Sequence, residues 1–216
     1  MDKSEKFWDK ASKNYDTTEE RFEQIHSRVR EKTKVHLSAT DVVLNYGCGT
    51  GTKACELAGF VSEVVGIDIS ADMIELGKAK SSTHAVENVR FEQTTIFDET
   101  LKDTSFDVVM AFNMLHTVPS PETVVKRIHE VLKLGGLFIS VTPCMAEKKF
   151  FFVSLQIGIF RLLSKIGLVP ISFEFYGSSD VDGLIGSKDF QTIRSESIFA
   201  RATSYFVVAK KAGELA

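Results

Sequence analysis

Val42-Val43-Leu44-Asn45-Tyr46-Gly47-Cys48-Gly49-Thr50-Gly51 runs from an apolar stretch into a turn with glycine at every second place. After it, Val64-Val65-Gly66-Ile67-Asp68-Ile69-Ser70 is a second apolar run that closes on the carboxylate of Asp68. A buried strand, a glycine turn, a short helix and a second strand ending in an acid make the first half of a mononucleotide-binding α/β unit, the acid placed to hold a ribose. A dinucleotide fingerprint would want its third glycine at 52, where Thr52 stands. A P-loop would need Gly-Lys followed by Ser or Thr, but Thr52-Lys53 follow Gly51. What the spacing at 47, 49 and 51 does allow is close approach of backbone to a ligand, which residues with a Cβ would block. No Cys/His spacing fits a metal site.

These groups need a scaffold, and the apolar pattern supplies one. Residues 3–16 and 18–37 read as two helices ahead of a sheet, carrying Phe7, Trp8, Ala11 and Tyr15, then Phe22, Ile25, Val29 and Val35. Strands are predicted at 41–46, 63–68, 89–93, 106–111 and 137–141, with a helix at 51–59 and another from the cap Ser70 to about Ser81. Ser120-Pro121-Glu122 has the order of cap, first-turn proline and acid, opening a helix whose stripe is Val124, Val125, Ile128, Val131 and Leu132 and which Gly135-Gly136 should stop. Nearly all-apolar strands alternating with helices imply a parallel sheet covered on both faces. Phe190 to Ile198 and Thr203 to Lys210 are two extended runs joined by a short turn, hence an antiparallel hairpin. Asn45–Gly51, Asp68, Thr95 and Asn113 then all fall at the carboxyl ends of strands, where ligands bind in such sheets.

From Phe7 to Thr142 the chain resembles a class I S-adenosylmethionine-dependent methyltransferase, most of all the group acting on small molecules and lipids that includes the ubiquinone and menaquinone methyltransferases. After Pro143 only the order of elements can be matched. The resemblance implies an α/β, Rossmann-like seven-stranded sheet of order 3-2-1-4-5-7-6 with the seventh strand reversed, helices on both faces and an N-terminal helical lid. Its implied cofactor is S-adenosyl-L-methionine, with the turn of Gly47, Cys48 and Gly49 under the methionine part, Asp68 on the ribose, and Ile69 and Met73 lining the adenine. Met73 could instead be an apolar helix residue facing the sheet, and Cys48 reads as a small side chain in the turn rather than a thiolate. Tyr15, within Phe7-Trp8-Asp9-Lys10-Ala11-Ser12-Lys13-Asn14-Tyr15-Asp16, resembles the tyrosine that closes over the cofactor; it could instead anchor the lid to the core. Asn113 joins the cofactor set.

Two positions depart from the family pattern. Asn45 stands where an acid usually lies close to the cofactor's ammonium, and a neutral amide oxygen binds a cation less strongly than a carboxylate. Thr95-Ile96 stand where relatives often carry Asp-Ala, the Asp meeting the adenine amino group. The resemblance places an acceptor over 112–116, where His116 is a candidate general base because imidazole titrates near neutral pH; packing of the loop is the other reading. The Pro-Pro-aromatic sequence of base-amine methyltransferases is missing there. Cys144 follows strand five, as the nucleophile of RNA cytosine methyltransferases does, but their second Pro-Cys pair is missing too.

At 216 residues one domain is expected, divided as lid 1–38, cofactor half 39–142, substrate cover 143–189 and closing hairpin 190–210. A net charge of -3 gives no pull toward nucleic acid, and three cysteines without framework spacing suit a reducing compartment. With no apolar signal segment at the start, a cytoplasmic protein is expected. Residues 148–169 are as apolar as a membrane segment, but Arg161 and Lys165 interrupt them. They read as an amphipathic helix roofing a lipophilic acceptor, as a packed helix or subunit contact, or as a peripheral membrane anchor through Phe150–Phe152. The expected function is methyl transfer to a small hydrophobic or aromatic acceptor. A degenerate protein that only binds the cofactor, and a nicotinamide-dependent oxidoreductase, are the alternatives; oligomeric state is left open.

Overall fold

Consecutive residues of the central strands enter opposite layers of apolar packing, as the two-residue period of a strand requires. In the computed structural model, which describes residues 3–147, 158–159, 173–187, 189–200 and 202–213, Leu44, Val109 and Phe138 face one layer while Val43, Val108 and Ile139 face the other. All six are buried. The sheet holds β1 (Val42–Tyr46), β2 (Glu63–Asp68), β3 (Val89–Gln93), β4 (Phe106–Phe112), β5 (Leu132–Pro143), β6 (Phe190–Ala200) and β7 (Ala202–Lys211). Its order is β3-β2-β1-β4-β5-β7-β6. The first five strands pair in parallel and β7 runs antiparallel to both neighbours. That is the order and reversal the family resemblance implied.

Helices cover both faces. On one side α6 (Pro121–Val131) and α7 (Ser178–Gly186) bring Val124, Val125, Ile128, Val181 and Ile185 to the sheet. On the other, α3 (Glu23–Lys34), α4 (Thr52–Ala58) and α5 (Ala71–Thr83) contribute Ile25, Val29, Ala54, Leu57 and Ile74. Each such Val, Leu or Ile side chain, fully buried, favours the folded state by about 1.5–3 kcal/mol. Ser70 caps α5 as expected, its hydroxyl accepting the Met73 amide at 3.1 Å. No helix among the described residues is long and apolar enough to cross a membrane.

Four local expectations are corrected. The helix expected over 3–16 is α1 (Lys3–Ser12) followed by a separate α2 (Tyr15–Glu19). The Ser12 hydroxyl donates to the Asp9 carbonyl at 2.7 Å, a local bond that competes with continuation of the helix. The helix expected over 18–37 begins with a 3-10 turn, Glu20–Phe22, before α3. Ser120 occupies the cap position of α6 in a left-handed conformation without a side-chain cap, although its carbonyl accepts the amides of Thr123 and Val124 at 2.9 and 3.3 Å. Finally, Gly135-Gly136 do not stop α6; the chain enters β5 directly at Leu132. The register jumps from Phe106–Leu132 to Val108–Leu137, so the glycines form a bulge, Gly135 at φ 76°. A Cβ on Gly136 would lie 2.8 Å from the Lys133 carbonyl oxygen.

The reading of 148–169 as a substrate cover falls, apart from Gly158 and Ile159, outside the described residues.

Candidate functional site

The turn after β1 is folded back on β2: the amides of Gly47 and Cys48 both donate to the Ile67 carbonyl, at 2.9 and 3.0 Å. Gly47 has φ 67°, and a Cβ there would meet the Met114 sulfur at 2.5 Å. Gly49 has φ 53° and its open side faces the Tyr15 ring, 3.4 Å from where a Cβ would sit. Gly51 does something else. With Gly66 and Gly77 it makes room for the buried Phe91 ring, so its glycine serves packing of α4, β2 and α5 rather than a ligand. Asp68 ends β2 with Oδ2 accepting the Gly49 amide at 3.0 Å and Oδ1 accepting the Ser70 amide at 2.9 Å. Burial raises its pKa against those backbone bonds, and the nearby Asp9 charge pushes the same way. A carboxylate has about four lone-pair positions, so two hydroxyl donors can still be received.

Three cavities open at the carboxyl ends of β1, β2 and β4, and Tyr15 and Asn113 border all three. The first, about 250 Å³, is lined by Gly47, Gly49, Asp68, Ile69, Met73 and Thr95, with Trp8 and Ser4 of the lid across from them. No lysine or arginine lines it among the described residues. The second, also about 250 Å³, is charged: Asn45, Cys48 and Thr50 meet Glu19, His26, Lys53 and Lys80. The third, about 320 Å³, is mainly apolar, bounded by Trp8, Phe22, Ile25, Pro143, Met145 and Phe173, with His116 and Cys144 in its wall and Glu19 and His26 shared with the second. Asn113 holds a left-handed backbone at φ 55°, which asparagine tolerates better than most residues, and its amide is fixed by the Val141 carbonyl at 2.8 Å.

The N-terminal helices α1 and α2, expected to form a lid, are fastened by carboxylates that the sequence pattern did not single out. Asp16 takes Lys80 Nζ at 2.7 Å and the Thr50 hydroxyl at 2.5 Å, while the same ammonium donates to Thr52 Oγ1 at 2.6 Å. Asp9 accepts the Ser70 hydroxyl at 2.6 Å and the Asp72 amide at 3.3 Å, a negative charge at the start of α5. Between these fastenings, Tyr15 is pressed against the glycine turn, and burial with three neighbouring carboxylates keeps its phenol protonated.

Of the residues singled out from sequence, Tyr15, Gly47, Gly49, Asp68, Ile69, Met73, Thr95 and Asn113 border the first cavity; Asn45 and Cys48 border the second. Ile96 borders none of the three and is fully buried in the core. His116 borders the third. Burial lowers its pKa to about 4, its ring packs edge-on to Phe173 at 4.9 Å, and Nδ1 is buried without a partner among the described residues. The imidazole is therefore neutral at pH 7 and a weak base. The Cys144 thiol is pushed up to about 12 by burial and donates to the Thr142 carbonyl at 3.7 Å, so it carries no thiolate for nucleophilic attack. Among the described residues no cluster could hold a metal.

Residues 37–195 match the family described as a methyltransferase domain. Demethylmenaquinone methyltransferase of Staphylococcus aureus is 29% identical over 169 residues, 71% of this chain and 69% of that protein. The uncharacterized methyltransferase YcgJ of Bacillus subtilis is 32% identical over 99 residues, 46% of this chain and 39% of its own. In several curated relatives the match covers less than half of their length. The solved YcgJ structure superposes with a TM-score of 0.71 at 17% identity, covering 87% of this chain and all of that one. Geranyl diphosphate C-methyltransferase of Streptomyces coelicolor, solved with geranyl diphosphate and S-adenosyl-L-homocysteine, gives 0.69 at 13% identity, covering 88% and 80%.

Proposed function

The chain belongs to the methyltransferase-domain family, and from that membership we propose that it transfers a methyl group from S-adenosyl-L-methionine to a small hydrophobic or aromatic organic acceptor. The observation that carries this reading is the meeting of three chemically different cavities at Tyr15 and Asn113. In it the first cavity takes the adenosyl group, with Asp68 on the ribose and Ile69, Met73 and Thr95 around the base. The second takes the amino-acid end, between Asn45 and the polar groups around it. The third takes the acceptor.

The residues present fit this cofactor. Gly47 and Gly49 lie at positive φ where the backbone must be open, and the first cavity offers a carboxylate and no cation. A pyrophosphate would find the wrong charge there, which disfavours a nicotinamide cofactor. When bound, S-adenosylmethionine supplies a methyl group already activated by its sulfonium. What the protein's own residues must add is alignment and exclusion of water, and alignment alone can lower a barrier by about 7–11 kcal/mol in favourable cases. In this reading Tyr15, on the fastened α2, and Asn113, whose backbone N–H donates to the Val141 carbonyl, set that alignment. His116 could take a proton from an acceptor reaching the third cavity, but burial makes it a weak base, so its role is kept to lining the wall.

An apolar third cavity agrees with the demethylmenaquinone enzyme among the similar proteins, and with the apolar geranyl chain, though not the charged diphosphate, of the geranyl diphosphate enzyme's substrate. No nucleic-acid partner belongs to the same reading, given the net charge of -3, and so does a cytoplasmic setting, given three free cysteines. The second reading, a protein that binds the cofactor without turning it over, is favoured by Asn45 and Thr95, the two departures from the family pattern. One experiment separates them: a screen of phenols, quinones, amines and prenyl compounds, following S-adenosylhomocysteine release. Release with an acceptor supports transfer; tight binding of S-adenosylhomocysteine with no release for any acceptor supports the second reading.

A further inference from the structure

Asn45 is 2% exposed, borders the second cavity, and is neutral. A cation bound beside it would need its counter-charge from elsewhere. Glu19 borders the same cavity, and the third as well, one helical turn after Tyr15 and on the same face of α2. Its side chain is 26% exposed and its Oε2 lies 3.3 Å from His26 Nε2. That histidine is not a true counter-ion: burial and the fields of Lys53 and Arg30 bring its pKa down to about 4, so it is neutral at pH 7. Lys53 adds a favourable field at Glu19 but forms no ion pair with it among the described residues, and Asp16 opposes it. Desolvation accordingly raises the Glu19 pKa. The chain thus carries a partly buried carboxylate whose one ion-pair contact among the described residues is a neutral imidazole, in the same cavity as a neutral amide, and that cavity is joined to the candidate adenosyl site through Tyr15, Gly47 and Asn113.

We propose that Glu19, carried in by the lid, supplies the negative charge that position 45 lacks and binds the α-ammonium of the cofactor's amino-acid end. This deepens the S-adenosylmethionine reading and rests on it. Its consequence is that recognition of the ammonium depends on lid closure, since the carboxylate arrives with α2 and not with the sheet.

The test compares two ligands by calorimetry: S-adenosylhomocysteine, which has the ammonium, and 5′-methylthioadenosine, which lacks the amino-acid end. Glu19→Gln is expected to weaken S-adenosylhomocysteine by about tenfold or more, the scale of a hydrogen bond to a charged group. Binding of 5′-methylthioadenosine should stay within about twofold, which also shows that the variant folds. Adding Asn45→Asp to Glu19→Gln should recover most of the lost affinity, because the carboxylate returns from the sheet side. Equal weakening of both ligands, or no weakening, overturns the proposal, as does a double variant no better than Glu19→Gln. Unchanged S-adenosylhomocysteine affinity with slowed turnover would overturn it too, placing Glu19 on the acceptor instead. If the unaltered protein binds neither ligand, the cofactor reading itself fails, and this proposal with it.

Discussion

Gly49 donates its amide to Asp68 Oδ2 at 3.0 Å, so the glycine turn after β1 and the acid that ends β2 are one unit. The carboxylate expected to receive ribose hydroxyls also shapes the turn beneath the rest of the ligand. Replacing Asp68 with Asn keeps one carbonyl oxygen but can serve only one of the two backbone donors as before, Gly49 or Ser70. Asp68→Asn should therefore weaken S-adenosylhomocysteine and 5′-methylthioadenosine together, by about tenfold or more, since both carry the ribose. An effect on one ligand alone would contradict a ribose role.

The lid fastening at Asp16 predicts a dynamic effect. Asp16 is 47% exposed and Lys80 25%, so screening by solvent keeps their ion pair below about 1 kcal/mol. The pair also orients Thr50 and Thr52 in the glycine turn. Lys80→Met should speed hydrogen exchange across α1 and α2 and weaken the cofactor product by about two- to fivefold, with little change in melting temperature. Unaltered exchange in residues 3–19 would show that the lid is held by its other contacts.

Acid should destabilise the fold through its buried imidazoles. The His116 pKa is about 4 in the folded chain, against 6.5 when free, so the unfolded chain binds more protons between those values. Stability is thus complete above about pH 6.5 and falls as pH drops toward 4, by about 3 kcal/mol from His116. His26 adds a loss of the same sign. His116→Phe should flatten the pH dependence of the denaturant midpoint over that interval; an unchanged slope would mean the imidazole is not desolvated as described.

Packing around Phe91 gives a prediction independent of any ligand. A Cβ on Gly66 would come 2.7 Å from Phe91 Cδ1. Gly66→Ala should cost about 1–3 kcal/mol, measured in urea, and pairing it with Phe91→Leu should recover part of that loss. Strictly additive effects would show that strand backbone, not the ring, sets the cost.

Cys144 is expected to be dispensable for chemistry. Cys144→Ala should leave methyl transfer, once an acceptor is found, within about threefold, because a thiol pushed up to about 12 is not a nucleophile. A loss of several orders of magnitude would reopen covalent catalysis.

The sheet was legible because its strands are runs of Val, Ile, Leu and Phe buried on both faces, and because the glycine turn and Asp68 lie at strand ends in any such sheet. The reversed final strand came from the resemblance, with the hairpin pattern at 190–210 in support. Gly135-Gly136 misled because glycine marks a helix end and a strand bulge alike, and only the position of Asp107 and Leu132 distinguishes them. The seating of the N-terminal helices depends on docking: Asp9 and Asp16 bind Ser70 and Lys80, groups over 60 residues away in the chain. Glu19 stayed hidden for a related reason. An exposed-looking acid on a polar helix acquires meaning only when Asn45 is seen across the same cavity.

Tyr15 and Asn113 border every chamber of the site, whereas Ile25 and Phe173 border the apolar one alone. If the cavities are occupied as proposed, diversification at the latter pair would leave cofactor recognition undisturbed, while the shared pair is constrained from three directions at once. New acceptor preferences, arising in nature or selected in the laboratory, would then be most accessible through changes at those two walls.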